Sequence, residues 1–225
     1  MSKGCFQAAA RFYGHVGLAR IEAPTSSVWF PITAKEAARI DVFTGNLHSS
    51  EGWLAIETLN NRFLLVDAQQ MVISLLDDGD DWPVGDPGQD GPLQDYAGIS
   101  NELYRIMAAW AEQSGVVEHL GSPTDRAEAL SLIEASGFKD CPEVLVAHLR
   151  QTRIHLVSGS MFECRVDYRC LLELSELEDD ADLQFVRVRE MEGVDRRLPL
   201  NKVAIIDLPL IELEAARLGT LEECK

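Results

Sequence analysis

The chain has 225 residues, of which 46% are hydrophobic and 25% charged, with 37 Asp+Glu against 20 Lys+Arg for a formal net charge of -17. That balance is the composition of a folded globular protein and excludes a disordered or fibrous chain. The acid excess works at long range against phosphate backbones and anionic lipid headgroups, and no apolar run reaches the roughly 18–20 residues that span a bilayer.

Taken in chain order, the first 76 residues predict mainly strands. Residues 16–22 alternate, Val28–Phe30 and Ile40–Phe43 are rich in β-branched and aromatic residues, and Arg62–Val66 and Met71–Leu76 are apolar runs of strand length. Trp53–Leu59 is too short for periodicity to choose between helix and strand. Asp77–Pro92 then carries three prolines, four glycines and six aspartates, the composition of a loop. Three helices follow. Ser100 is an N-cap candidate ahead of the stripe Leu103, Ile106, Met107 and Trp110. Ser122-Pro123 opens the second helix, which buries Ala127, Leu130 and Ile133. Asp140 and Glu143 form a capping-box pattern before the third. Strand patterns return at Ile154–Val166, Leu183–Glu190 and Leu198–Leu208, and Pro209–Leu218 reads as a closing helix with Gly219 as its stop. The organisation expected is therefore α+β. A β-rich unit over residues 1–78, an acidic Pro/Gly/Asp linker over 79–98, a helical segment over 99–152 and a β-rich unit over 153–225 make up the chain, so two small antiparallel, barrel-like or β-rich units flank the helices.

Two stretches on either side of the helices share a pattern. Val42–Leu47 matches Leu156–Met161, Glu57–Leu59 matches Ser175–Leu177, and Phe63–Val66 matches Phe185–Val188, as a tandem duplication would give. The segment from His155 to Leu208, with its apolar-x-x-Gly element and the closing run Leu198–Ile206, resembles an Sm-like small β-barrel. That resemblance implies ring-like oligomers and RNA binding. The chain departs from the family in its acidity and in the Glu-rich insert from Glu173 to Asp182, and both departures weigh against nucleic acid as the partner.

Motifs that carry chemistry are scarce. The five cysteines (Cys5, Cys141, Cys164, Cys170, Cys224) are odd in number and irregularly spaced, which points to reduced thiols rather than a disulfide framework. No CxxC pair preorganises a zinc site, and His148 and His155 stand apart as structural residues. Asp77, Asp78, Asp80, Asp81 and Asp86 are dense enough for a hard cation, but prolines interrupt them and the bidentate Glu of an EF-hand loop is missing. There is no G-x-S-x-G elbow around Ser158 and no phosphate loop around Gly85–Gly88. The carboxylates at Glu176, Glu178, Asp179 and Asp180 read as a solvated turn. The chain therefore predicts no catalytic, cofactor or metal residues, and an enzyme would need a pocket that joins Cys164 or Cys170 to a histidine and a carboxylate.

What remains is a surface for contact. Arg187, Arg189, Arg196 and Arg197 are the one basic cluster, with Arg187 and Arg189 on one strand face by the two-residue period. They could meet an acidic partner or the chain's own Glu190 and Glu192. Trp82 stands in the polar linker as a plug or an anchor, whereas Trp29, Trp53 and Trp110 read as core or edge-of-core. With no secretory leader at Met1–Phe6, the expectation is a cytoplasmic, non-enzymatic interaction or assembly module that binds a protein partner or forms a homo-oligomer. Sm-like RNA binding and a spatially assembled enzyme are the two alternatives.

Overall fold

The computed structural model describes residues 12–24, 27–45, 52–77, 100–112, 120–135, 142–177, 184–191 and 193–223. It is an α+β fold, as expected, with ten strands and six helices among those residues. The strands are β1 (Phe12–Arg20), β2 (Val28–Thr33), β3 (Trp53–Glu57), β4 (Arg62–Asp67), β5 (Met71–Asp77), β6 (Thr152–Leu156), β7 (Met161–Cys164), β8 (Phe185–Arg189), β9 (Asp195–Pro199) and β10 (Val203–Pro209). The helices are α1 (Ala34–Gly45), α2 (Asn101–Glu112), α3 (Pro123–Ala135), α4 (Pro142–Leu149), α5 (Tyr168–Ser175) and α6 (Leu210–Glu223). All pairings are antiparallel, in three sheets of order β2-β1-β5, β3-β4-β10-β6-β7 and β8-β9. None of the three closes into a barrel among the described residues.

The five-stranded sheet is the centre of the molecule, and it takes strands from both sides of the helical segment: β4 precedes the helices and its neighbour β10 follows them. β4 and β10 are covered on both faces, which is why Phe63–Val66 and Val203–Ile206 read as unbroken apolar runs rather than alternating ones. On β4, Phe63 and Leu65 pack into one core with α5, α6 and the β8–β9 hairpin. Leu64 and Val66 pack into the other, with β1, β2, β5 and α1. A register shift between Val203 and Ile205 puts Val203 and Ile206 on the same side of β10, since a bulge reverses the alternation. The helices α2, α3 and α4 bury Leu103, Ile106, Met107, Ala129, Ile133 and Leu145 in a third core.

Several local expectations change. Ile40–Phe43, expected as a strand, lies in α1. Thr33 accepts from Glu36 N at 3.2 Å, and the Thr33-x-x-Glu36 spacing is that of a capping box, which overrides the β-branched pair that follows. Ile154–Val166 is two strands, turned at residues 157–160 with Gly159 at φ +87° against the Arg20 guanidinium. Residues 168–175 form α5, where no element is predicted from sequence, and it takes in the start of the Glu-rich insert at Glu173. Asp167 caps it by accepting from Cys170 N at 2.7 Å, and Cys170, Leu171 and Leu174 form its buried stripe. The last helix runs past Gly219 to Glu223.

Of the patterns that suggested a duplication, Phe63–Val66 and Phe185–Val188 are both strands. Val42–Gly45 ends a helix while Leu156–Ser160 closes a hairpin. No helix among the described residues is long and apolar enough to cross a membrane.

Candidate interaction surface

The four arginines singled out by sequence all lie on or beside the β8–β9 hairpin. Its burial alternates along β8: Val186 and Val188 are fully buried against α5, while Phe185 and Arg187 are exposed. The register sets Phe185 opposite Pro199, Arg187 opposite Arg197 and Arg189 opposite Asp195. Three of the four arginines therefore share the outward face with Phe185, which is 53% exposed. Arg196 takes the other phase, where it pairs with Glu190 and lies over the Phe162 ring at 5.9 Å.

Ion pairing on the outward face is incomplete. Arg187 donates from Nε to both carboxylate oxygens of Asp195, at 3.1 and 3.0 Å. That hydrogen bond, with help from Arg197 and Arg189, holds the Asp195 carboxyl below its usual range. Arg189 reaches Asp167 Oδ2 at 3.7 Å. Arg197 makes no ion pair within 4 Å among the described residues, and with Phe185 and Arg187 it lines a shallow notch of about 320 Å³. Glu192 and Trp82 lie outside the described residues.

A second polar cluster, not anticipated from sequence, crosses the central sheet. Asp207, Arg153 and Glu163 are direct neighbours on β10, β6 and β7. Arg62 donates from Nε to Asp207 Oδ1, and from Nη2 to the carbonyls of Gln151 and Asp207 at 3.0 Å each. Arg153 donates to Glu163 at 2.8 Å and approaches Asp207 Oδ2 at 3.8 Å. Asp207 and Arg62 are both buried, so this row is a paired charge network inside the fold.

His155 shares that sheet face, and burial pushes its imidazole below the ordinary range. The Arg153 and Arg62 charges add to the push, and Asp207 opposes it. An imidazole held neutral in the fold but free to protonate in the unfolded chain withdraws stability as pH falls below 6.5, the ordinary value. The free energy of unfolding should therefore drop more steeply between about pH 7 and 5 in the parent protein than in His155→Gln. Urea titrations across that range check this, and parallel slopes would contradict it.

Cys164 and Cys170 are buried thiols outside any disulfide. Burial raises the Cys170 thiol, whose Sγ accepts from Arg189 N at 3.3 Å. Cys164 and Ile154 belong to the core on the α5 side, so strand alternation sends the neighbouring His155 to the opposite face. A concavity of about 390 Å³ beside α4 and β7 brings Cys164 near Glu163, Arg165 and Glu190, with no histidine among its described lining. The side chain of His148 lies outside the described residues, as does the aspartate-rich segment 78–99. No group of three or more Cys, His, Asp and Glu side chains among the described residues is arranged to hold a metal ion. Comparison with protein-family models, with curated proteins and with solved structures finds no match to this chain.

Proposed function

We propose that the protein is a non-enzymatic interaction module whose docking surface is the outward face of the β8–β9 hairpin, and that its partner is an acidic segment of another protein. The observation that carries this reading is the opposition of Arg187 and Arg197 across the hairpin. Like charges directly opposite on one face of a sheet are destabilising, and a local rule broken at an exposed position suggests a use outside the fold. In a chain of net charge -17, with Asp195 paired to Arg187 and no ion pair to Arg197 within 4 Å among the described residues, that face is where an external anion gains most. The exposed Phe185 ring beside them supplies apolar area of the kind that anchors interfaces.

Fluorescein-labelled poly-glutamate, titrated by anisotropy, tests the reading. Binding should weaken with added salt and fall by about tenfold or more in Arg197→Glu, since an oppositely charged contact is replaced by a repulsive one. The same substitution removes the Arg187–Arg197 repulsion, so the unfolding midpoint should not drop. Equal binding by both proteins, or none by the parent, would overturn the proposal.

A further inference from the structure

The backbone of the same hairpin has one edge already occupied and one open. Bonded and non-bonded residue pairs alternate along an antiparallel ladder. Leu200 N donates to Gln184 O at 3.0 Å and Glu190 N to Val194 O at 2.8 Å. In that phase Val186–Leu198 and Val188–Arg196 are the bonded pairs, so the backbone groups of Arg187 and Arg189 on β8, and of Asp195, Arg197 and Pro199 on β9, turn outward. On the β8 side the first turn of α5 takes three of the four groups of Arg187 and Arg189. Asp167 N donates to Arg189 O at 3.4 Å, Arg189 N donates to Cys170 Sγ, and Cys170 Sγ approaches Arg187 O at 3.7 Å. On the β9 side, Asp195 and Arg197 each present an N–H and a C=O and Pro199 a C=O alone, with no strand beyond them among the described residues.

We infer that β9 accepts the acidic segment as a third, antiparallel strand, with a carboxylate directly opposite Arg197 and Arg187 next across the hairpin. This rests on the hairpin being the docking surface and adds how the partner is held. Edge strands carry charge to discourage unwanted pairing, and the excess of arginine on this face attracts an acidic strand. A polypeptide supplies both donors and acceptors to match the alternating groups of Asp195 and Arg197. The phosphates of a nucleic acid strand supply no donor for the outward carbonyls, and their charge meets the repulsion of the whole chain. Pro199, with no N–H, ends the run of donors and limits the added strand to about the five residues of β9. The intervening side chains of the partner fall on the other face, beside the partly buried Leu198 and Phe162. The sequence recognised is thus acidic and apolar in strict alternation.

In this arrangement the acidic face of the added strand runs past Asp195, Arg197 and Pro199; the carboxylate opposite Arg197 gains the charge pair, and Arg187 and Arg189 offset Asp195 beneath its neighbour. The N–H groups on that face bond to β9, and those of the apolar residues point away. A labelled octapeptide alternating glutamate and valine, titrated into the full-length protein, should bind more weakly by about tenfold or more when its glutamates are N-methylated. The same peptide N-methylated on its valines should bind within about threefold of the parent. Equal loss in both methylated peptides, or loss in neither while Arg197→Glu still abolishes binding, overturns strand addition and leaves the hairpin as the docking face. Failure of the parent peptide and of poly-glutamate alike overturns both. Displacement of the peptide by a single-stranded oligouridylate at lower concentration than by unlabelled peptide would overturn the inference in favour of nucleic acid.

Discussion

Asp207→Ala should destabilise the protein by about 3–5 kcal/mol in urea unfolding, the cost of leaving a buried charge without its partner. Asp207 is 2% exposed on the most deeply buried strand of the central sheet. Its carboxylate sits between two guanidinium groups, Arg62 at hydrogen-bonding distance and Arg153 farther off. Its loss leaves Arg62 buried with two carbonyl acceptors but no counter-charge. Asp207→Asn keeps the volume and should cost nearly as much, because the missing quantity is charge. The double replacement Arg62→Met with Asp207→Leu should recover most of the loss, since Arg153 retains Glu163. If the double variant is as unstable as Asp207→Ala, packing rather than charge pairing accounts for the site.

Asn61→Ala should cost about 2–4 kcal/mol, and Asn61→Gly clearly less, because two separate things are lost at this position. Asn61 ends the turn between β3 and β4 at φ +63°, a conformation that alanine resists and glycine accepts. Its Oδ1 accepts from Ile211 N at 2.9 Å and its backbone O from Leu210 N at 3.1 Å, so it caps the start of α6. Its Nδ2 donates to Leu149 O at the end of α4, and its N–H donates to Asn101 Oδ1 at the start of α2. One short turn therefore ties three helices to the central sheet. The difference between the alanine and glycine variants isolates the backbone cost, and equal losses would show that the cap alone matters. Loss of the helix-bundle fluorescence of Trp110 ahead of the far-ultraviolet signal would show the helices detaching first.

Much of the fold was legible in the sequence because local signals and tertiary demands agree there. Ser100 caps α2, with Leu103 N donating to its Oγ at 3.4 Å, and Ser122-Pro123 opens α3 with a reciprocal bond to Asp125. β1, β2, β4, β5 and β8 fall on the runs that predicted them. The failures at α1 and α5 have one cause: a capping residue, Thr33 or Asp167, outweighs the residue types that follow. A Thr-x-x-Glu or Asp-x-x-Cys start is visible in the sequence and could have been weighed above the β-branched content of α1.

The two polar clusters were not equally legible. The two-residue period placed Arg187 and Arg189 on one face, and only the register of β8 on β9 brings Arg197 to that face and sends Arg196 away. The buried row could not be read at all. Arg62 and Asp207 are 145 positions apart, Arg62 opening an apolar run and Asp207 interrupting one between Ile206 and Leu208. Such a residue looks like the place where a strand leaves the core, until a neighbouring strand supplies the opposite charge.

The outward face of the hairpin is the centre of this account, and amide hydrogen exchange across the full-length protein tests it most directly. With poly-glutamate bound at low salt, exchange should slow within residues 185–199 and stay unchanged in the helices α2, α3 and α4. Slowing that falls elsewhere, with the hairpin unaffected, would contradict the account.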